Sequence, residues 1–255
     1  MTIGSLFSGI GGFDLGLERA GMKIKWQVEI DEFCNRVLEK HWPDVKRYRD
    51  IKEIGGEELE PVDVVCGGFP CQPFSAAGKR RSKQDDRYLW PEMLRVISTV
   101  RPTWVVGENV AGIISLALDD VLADLEDAGY SCGSLVIPAC AVNAPHRRDR
   151  VWIVAHRNSS KQTSADTDCE HRKESDRRHQ LGQTRRKMPS GWSLDESLWQ
   201  ETWIQAATRI CRVDDGLPGR LDRAKRLKAL GNAVVPQIVE IIGRAIMKIE
   251  KHHKS

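Results

Sequence analysis

Short apolar runs and helical-period segments alternate along the first part of the chain. Ile3–Phe7 is an apolar run ending in a glycine-rich turn. Phe13–Ala20 follows, with Phe13, Leu17 and Ala20 on one helical face and Gly21 as a stop. Lys23–Glu29 reads as a second strand. Asp31 is placed to cap a helix over Glu32–His41, which must end before Pro43. Val62–Cys66 is a third strand, Tyr88–Val100 a helix, Thr103–Val106 a strand and Ser115–Ala128 a helix closed by Gly129. Ser134–Pro138 and Val151–Ala155 are the last strands. Strand and helix in alternation predict an α/β fold, a mostly parallel sheet with helices on both faces.

The pattern breaks near Arg157. Residues 158–190 are rich in Ser, Thr, Asp, Arg, Lys and Gln, with nine Lys/Arg against five Asp/Glu from Arg157 to Lys187. Too apolar-poor for a core of its own, this stretch reads as a loop or insert. Apolar positions return over Trp192–Ile210. Pro236–Lys251 is then helix-patterned, with Ile238, Ile241, Ile242, Ala245, Ile246 and Ile249 at helical spacing and Pro236 suited to the first turn.

Composition narrows the class. The chain has 255 residues, 40 % of them hydrophobic, which fits one large domain or a domain plus a small insert. No apolar run reaches the roughly 20 residues of a membrane span, and the start MTIGSLFSGIGG lacks a signal peptide's basic region. Seven cysteines without a CxxC pair argue against a disulfide framework and for a reducing, cytoplasmic setting. Cys169, His171 and His179 fit no standard metal spacing, so no metal is expected. The net charge of +3 is too small to establish a nucleic-acid partner.

Three places carry candidate chemistry. Ser8-Gly9-Ile10-Gly11-Gly12 joins the first strand to the first helix, where glycines admit a ligand to the backbone and the helix offers free N–H groups. Glu29 closes the second strand and can accept from both hydroxyls of a ribose. This pair alone also suits a nicotinamide-dependent enzyme. Gly67-Gly68-Phe69-Pro70-Cys71-Gln72-Pro73-Phe74-Ser75 follows the third strand and makes a stiff turn presenting one thiol. A lone cysteine is most often a small buried hydrophobe; between two prolines at a strand's carboxyl end it reads as a nucleophile. Glu108 leaves the next strand as a candidate acid partner. Arg147, Arg148 and Arg150 precede the last strand and can bind phosphates or a base carbonyl.

In this order the motifs resemble those of the cytosine-5 DNA methyltransferase family, most closely phage, prophage or restriction–modification members. Phe7-Ser8-Gly9-Ile10-Gly11-Gly12 resembles its first cofactor motif, Glu29 and Asp31 its ribose-binding acid, and Asp50-Ile51 the pair that contacts adenine. Gly68 to Ser75 resembles the nucleophile motif, Arg87-Tyr88-Leu89-Trp90 the next, and Glu108-Asn109-Val110 and Arg148-Asp149-Arg150 two further motifs. Arg226-Leu227 and Gly231-Asn232-Ala233-Val234-Val235-Pro236 resemble the last two. Ser5, where many members have an acid, His146, Tyr88 and Trp90 depart from the pattern.

The resemblance implies a Rossmann-like S-adenosylmethionine-dependent fold. Residues 1–157 and 222–255 would form the catalytic domain and 158–221 a short target recognition region. It implies that Cys71 attacks C6 of a flipped-out cytosine in a specific duplex sequence. Glu108 would bind N3 and the exocyclic amine, and Arg150 with Arg148 the base carbonyl and a phosphate. Cofactor contacts are implied for Phe7, Gly9, Ile10, Gly11, Gly12, Glu29, Ile30, Asp50, Ile51, Pro70, Leu89, Asn232 and Ala233. DNA contacts are implied for Gln72, Ser75, Lys79, Arg80 and Arg81, on a loop that closes over the substrate. The implied partners are double-stranded DNA and a cognate restriction endonuclease, with the enzyme itself a monomer. Three rivals stand beside this reading: a tRNA cytosine-5 methyltransferase, a catalytically silent DNA-binding relative, and a nicotinamide-dependent oxidoreductase.

Overall fold

The computed structural model describes residues 1–55, 58–70, 88–144, 147–158 and 229–253. One sheet runs through them. Its strands are β1 (Thr2–Leu6), β2 (Lys23–Val28), β3 (Lys46–Tyr48), β4 (Val64–Gly67), β5 (Trp104–Val110), β6 (Tyr130–Pro138) and β7 (Asp149–Arg157), in the order β3-β2-β1-β4-β5-β7-β6. The pairings among β3, β2, β1, β4 and β5 are parallel, and β7 runs antiparallel to both β5 and β6. The expected α/β architecture is thus present, with an antiparallel end added to the parallel sheet.

Two apolar layers cover the sheet. On one face, α3 (Trp90–Val100) and α4 (Leu118–Asp127) contribute Met93, Val96, Ile97, Val121 and Leu125 to a core that includes Val65 and Val105. On the other, α1 (Gly12–Arg19) and α5 (Pro236–His253) contribute Phe13, Leu17, Ile238, Val239, Ile242 and Ile246, packed with Ile3, Val64, Cys66 and Val106. Central β4 therefore has neighbours on both sides. That is why its sequence is an unbroken apolar run rather than an alternation.

Local chemistry fixes the joints. Asp31 caps α2 (Glu32–His41): its Oδ1 accepts from the amides of Phe33 and Cys34 at 2.9 and 3.1 Å. The β1–β2 register shifts between Ile3 and Gly4, where the Trp26 indole crosses β1. A Cβ on Gly4 would lie 2.0 Å from that ring. Small residues bring α1 and α5 together. A Cβ on Gly16 would stand 2.5 Å from the Val239 Cβ, and one on Gly243 2.8 Å from the Ala20 Cβ. The helical span Ala229–His252 is long and apolar enough, by length and composition alone, to cross a membrane. In this fold its apolar face lies on α1.

Several expected boundaries move. β5 extends to Val110, so Glu108 and Asn109 lie inside the strand rather than after it, and β7 begins at Asp149, so Arg150 is also a strand residue. The helix expected over Ser115–Ala128 is a 3-10 turn at Ala111–Ser115 followed by α4. On α5, Ile241 and Ile249 are exposed, because the buried face is the narrower stripe of Ile238, Val239, Ile242 and Ile246.

Candidate active site

The carboxyl ends of the parallel strands open into a cleft of about 540 Å³. The strand order reverses there, between β1 and β4, the usual ligand position in an open α/β sheet. Its walls are Phe7 and Gly9 after β1, Glu29, Asp31 and Cys34 after β2, and Gly68, Phe69 and Pro70 after β4. Glu108, Asn109 and Val110 of β5, Arg148 and Arg150 beside and in β7, and Ala229, Gly231 and Asn232 complete it.

The β2 side is built around Glu29. One carboxylate oxygen accepts from the Gly9 amide and the other from the Asp31 amide, each at 2.7 Å. Each oxygen keeps a second lone pair for a hydroxyl. Burial raises the Glu29 pKa against these backbone hydrogen bonds. Phe7, with φ +52°, and Gly9, with φ +55°, place the turn in left-handed backbone.

The other glycines have different neighbours. A Cβ on Gly11, whose φ is +87°, would lie 2.3 Å from the Trp42 ring. A Cβ on Gly12 would lie 2.7 Å from the Val234 carbonyl oxygen. These two glycines admit other parts of the protein to the turn.

Beneath the turn lies a polar group that the sequence pattern had not singled out. Asp14 is fully buried and accepts from the Ser5 hydroxyl at 3.1 Å and from the Gln27 amide nitrogen at 2.9 Å. Burial, opposed by these hydrogen bonds, pushes its pKa up to about 6. Each of the three is a polar residue at a buried position of its element, flanked by apolar residues, which was the available signal.

On the β5 side, Glu108 is nearly buried, and its Oε1 lies 2.9 Å from Arg150 Nε. Burial raises its pKa, while the charges of Arg150 and then Arg148 act the other way. A Cβ on Gly68 would come within 3.2 Å of Glu108 Oε2, so the segment after β4 passes close to this carboxylate. Asn109 joins β5 to the same segment. Its Nδ2 donates to the Phe69 carbonyl at 3.0 Å and its Oδ1 accepts from the Val110 amide at 2.9 Å.

The cleft thus gathers Phe7, Gly9, Glu29, Pro70, Glu108, Arg148, Arg150 and Asn232 from the residues singled out in the sequence. It does not gather Ile10, Gly11, Gly12, Ile30, Asp50, Ile51, Leu89 or Ala233 as lining residues. Ile51 is buried in the core, with its carbonyl accepting from Arg95, because β3 and the turn after it pack against α3. Ile30 is exposed. Cys71, Gln72, Ser75, Lys79, Arg80 and Arg81 lie outside the described residues, as do Cys169, His171 and His179. Cys34 and Asn109 are lining residues to which the sequence had assigned no role.

A family model for C-5 cytosine-specific DNA methylases matches residues 1–213. The chain belongs to this family. Its relatives in the methylase family include the Type II methyltransferase M.FnuDI of Fusobacterium nucleatum, 37 % identical over 162 residues, covering 62 % of this chain and 47 % of that one. M.HgiBI of Herpetosiphon aurantiacus is 36 % identical over 155 residues, covering 58 % of this chain and 36 % of that one. The alignments therefore span about half the length of these relatives, or less. Among solved structures, Spodoptera frugiperda DNMT2 superposes with a TM-score of 0.54 at 23 % identity, covering 66 % of this chain and 53 % of that one. That likeness concerns the methylase fold alone.

Proposed function

We propose that this chain transfers a methyl group from S-adenosylmethionine to C5 of a cytosine in double-stranded DNA. The observation that carries the reading is the buried Glu108 carboxylate, paired with Arg150, in a cleft entered by the segment that leads from Pro70 into Cys71.

The residues present suit the cofactor. Glu29 and Asp31 offer carboxylates to a ribose, Phe7 an apolar surface, and Asn232 a polar side chain from the far wall. The cleft volume falls within the roughly 300–1,000 Å³ of small-molecule sites. Bound S-adenosylmethionine supplies an electrophilic methyl group on a sulfonium.

The chain's own residues do the rest. The Cys71 thiolate adds to C6, forming a C–S bond, and the displaced π pair makes C5 nucleophilic. Glu108, whose pKa burial raises, donates a proton at N3 and so stabilises that electron pair. Arg150 holds Glu108 in place and turns its remaining N–H groups toward the base. After C5 carries the methyl, a base takes the C5 proton. The C5–C6 double bond re-forms as the C–S bond breaks to release the thiolate, and N3 returns its proton to Glu108. A cytosine inside a duplex must be flipped out for this contact.

In this reading residues 1–157 and 222–255 are catalytic, and 158–221 recognise the target. A restriction endonuclease of the same sequence specificity is the matching partner, and the cytoplasm the setting. The test is transfer of labelled methyl into mixed-sequence duplex DNA, wild type beside Cys71→Ala, with products read base by base. Wild type should give 5-methylcytosine in one sequence context and the variant none. Methylation of RNA but not duplex DNA would move the reading to an RNA enzyme, and no transfer at all to a silent binder.

A further inference from the structure

Two arginines stand at the start of β7 on the wall of one cleft, and their hydrogen bonds differ. Arg150 Nε faces Glu108 at 2.9 Å, and its Nη1 donates to the Asp149 carbonyl at 2.8 Å. Arg148 is turned elsewhere. Its Nη1 donates to the Gly231 carbonyl at 2.8 Å and its Nη2 to the Ala233 carbonyl at 2.9 Å. The planar guanidinium spans two carbonyls separated by one residue, and that residue is Asn232, which lines the cleft. Arg148 adopts φ +36°, a left-handed conformation that a long side chain rarely takes. The conformation is sustained where the two carbonyls hold the side chain.

Among the described residues the segment around Asn232 is also tied by Val234 and Val235, which pack against the core. Residues 233–235 are not helical, and the Ala233 amide reaches the Leu230 carbonyl only at 3.3 Å. On its far side the Val234 carbonyl abuts Gly12. The segment is therefore clasped between the glycine turn and Arg148. A guanidinium engaged with two carbonyls has fewer N–H groups left for a phosphate or a base.

We propose that Arg148 is a positioning residue: it latches the Gly231–Ala233 backbone to the start of β7 and so holds Asn232 against the cofactor, leaving the base side to Arg150. The cofactor part of this proposal rests on the reading given above; the latch does not. A consequence is that cofactor affinity and the base-side strand are coupled through one side chain.

The test compares the full chain with Arg148→Ala, Arg148→Lys and Arg150→Ala. It measures calorimetric binding of S-adenosylhomocysteine, anisotropy of mixed-sequence duplex DNA, and amide exchange over residues 229–240. Loss of a two-pronged charged contact should weaken S-adenosylhomocysteine by about tenfold or more in Arg148→Ala. Amide exchange should quicken near Gly231–Val235, with DNA affinity kept within about twofold. Lysine, able to reach one carbonyl, should give intermediate values. Arg150→Ala should keep cofactor affinity. If Arg148→Ala leaves exchange unchanged, the latch is refuted. If it weakens DNA and spares S-adenosylhomocysteine, Arg148 is a substrate-binding group and the proposal is overturned. If wild type itself fails to bind S-adenosylhomocysteine, the cofactor reading falls together with the Asn232 role, while the exchange comparison still decides the latch.

Discussion

Glu108 and Arg150 meet diagonally across the antiparallel β5–β7 ladder, offset by two positions. Glu108 pairs with Trp152 and Val110 with Arg150, yet the guanidinium reaches back to the carboxylate at 2.9 Å. The diagonal reach keeps the carboxylate charged more readily than burial alone would allow. Burial still leaves the group above the ordinary glutamate range, which favours its sharing a proton with a base.

Glu108→Gln keeps the shape and removes the exchangeable proton. Methyl transfer should fall by about 10²-fold or more, the usual scale for a positioned acid. Single-turnover rates at saturating DNA measure this, and an unchanged rate would remove Glu108 from the chemistry.

Asp14 makes a pH-dependent contribution to stability. Its folded pKa of about 6 lies above the ordinary 3.8. The stabilising effect of holding the proton is complete below pH about 4 and is lost as pH rises through about 6, a difference of about 3 kcal/mol. Asp14→Asn removes that dependence, and its amide can donate to the Gln27 Oε1 that now has no hydrogen-bond partner. Denaturant unfolding of both proteins between pH 4 and 7 should show wild type losing ground to the variant over that interval. Parallel curves would refute the assignment.

Gly16→Ala should loosen the contact between α1 and α5. The added carbon meets the Pro236 carbonyl oxygen at 2.6 Å as well as Val239, and a backbone atom cannot swing aside. A cost of about 1–3 kcal/mol is expected, read as a Tm lowered by about 2–4 °C per kcal/mol for a chain of this size.

Asn109→Asp should act on catalysis without touching substrate. The variant loses the donor to the Phe69 carbonyl and sets a carboxylate against it. Leaving that carbonyl without its donor costs about 1–3 kcal/mol, borne by the segment that leads to Cys71. The expected result is a lower kcat with little change in the KM for S-adenosylmethionine. Unaltered kinetics would show that the strand end is held by other contacts.

What the sequence made legible follows from where polar residues sit. Apolar periodicity located β1, α1, α2 and β4 to within a residue or two, because their polar and apolar positions separate cleanly. It stopped β5 at Val106 and started β7 at Val151, since Glu108, Asn109 and Arg150 look like loop residues. They remain in the ladder because β5 and β7 satisfy each other's backbone whatever their side chains are. β3, only Lys46–Tyr48, carries two charges and joins the sheet at its edge, so no pattern announced it. For the site, motif order brought Glu29, Glu108 and Asn232 to attention. The buried set of Ser5, Asp14 and Gln27 was hidden, because each element contributes one polar residue and only packing joins them. Arg148's two carbonyl partners are backbone atoms, which side-chain patterns do not encode.

The contact between Gly12 and the Val234 carbonyl has a consequence for synthesis. The turn at Gly12 is translated well before Val234, and the strand–helix unit around it can form first. Its wall beside the cleft is supplied by a segment translated long afterwards. A nascent chain can thus acquire most of its sheet while its ligand cleft is still open on one side. Ligand binding at that wall waits until the later segment has been translated and has folded against the turn.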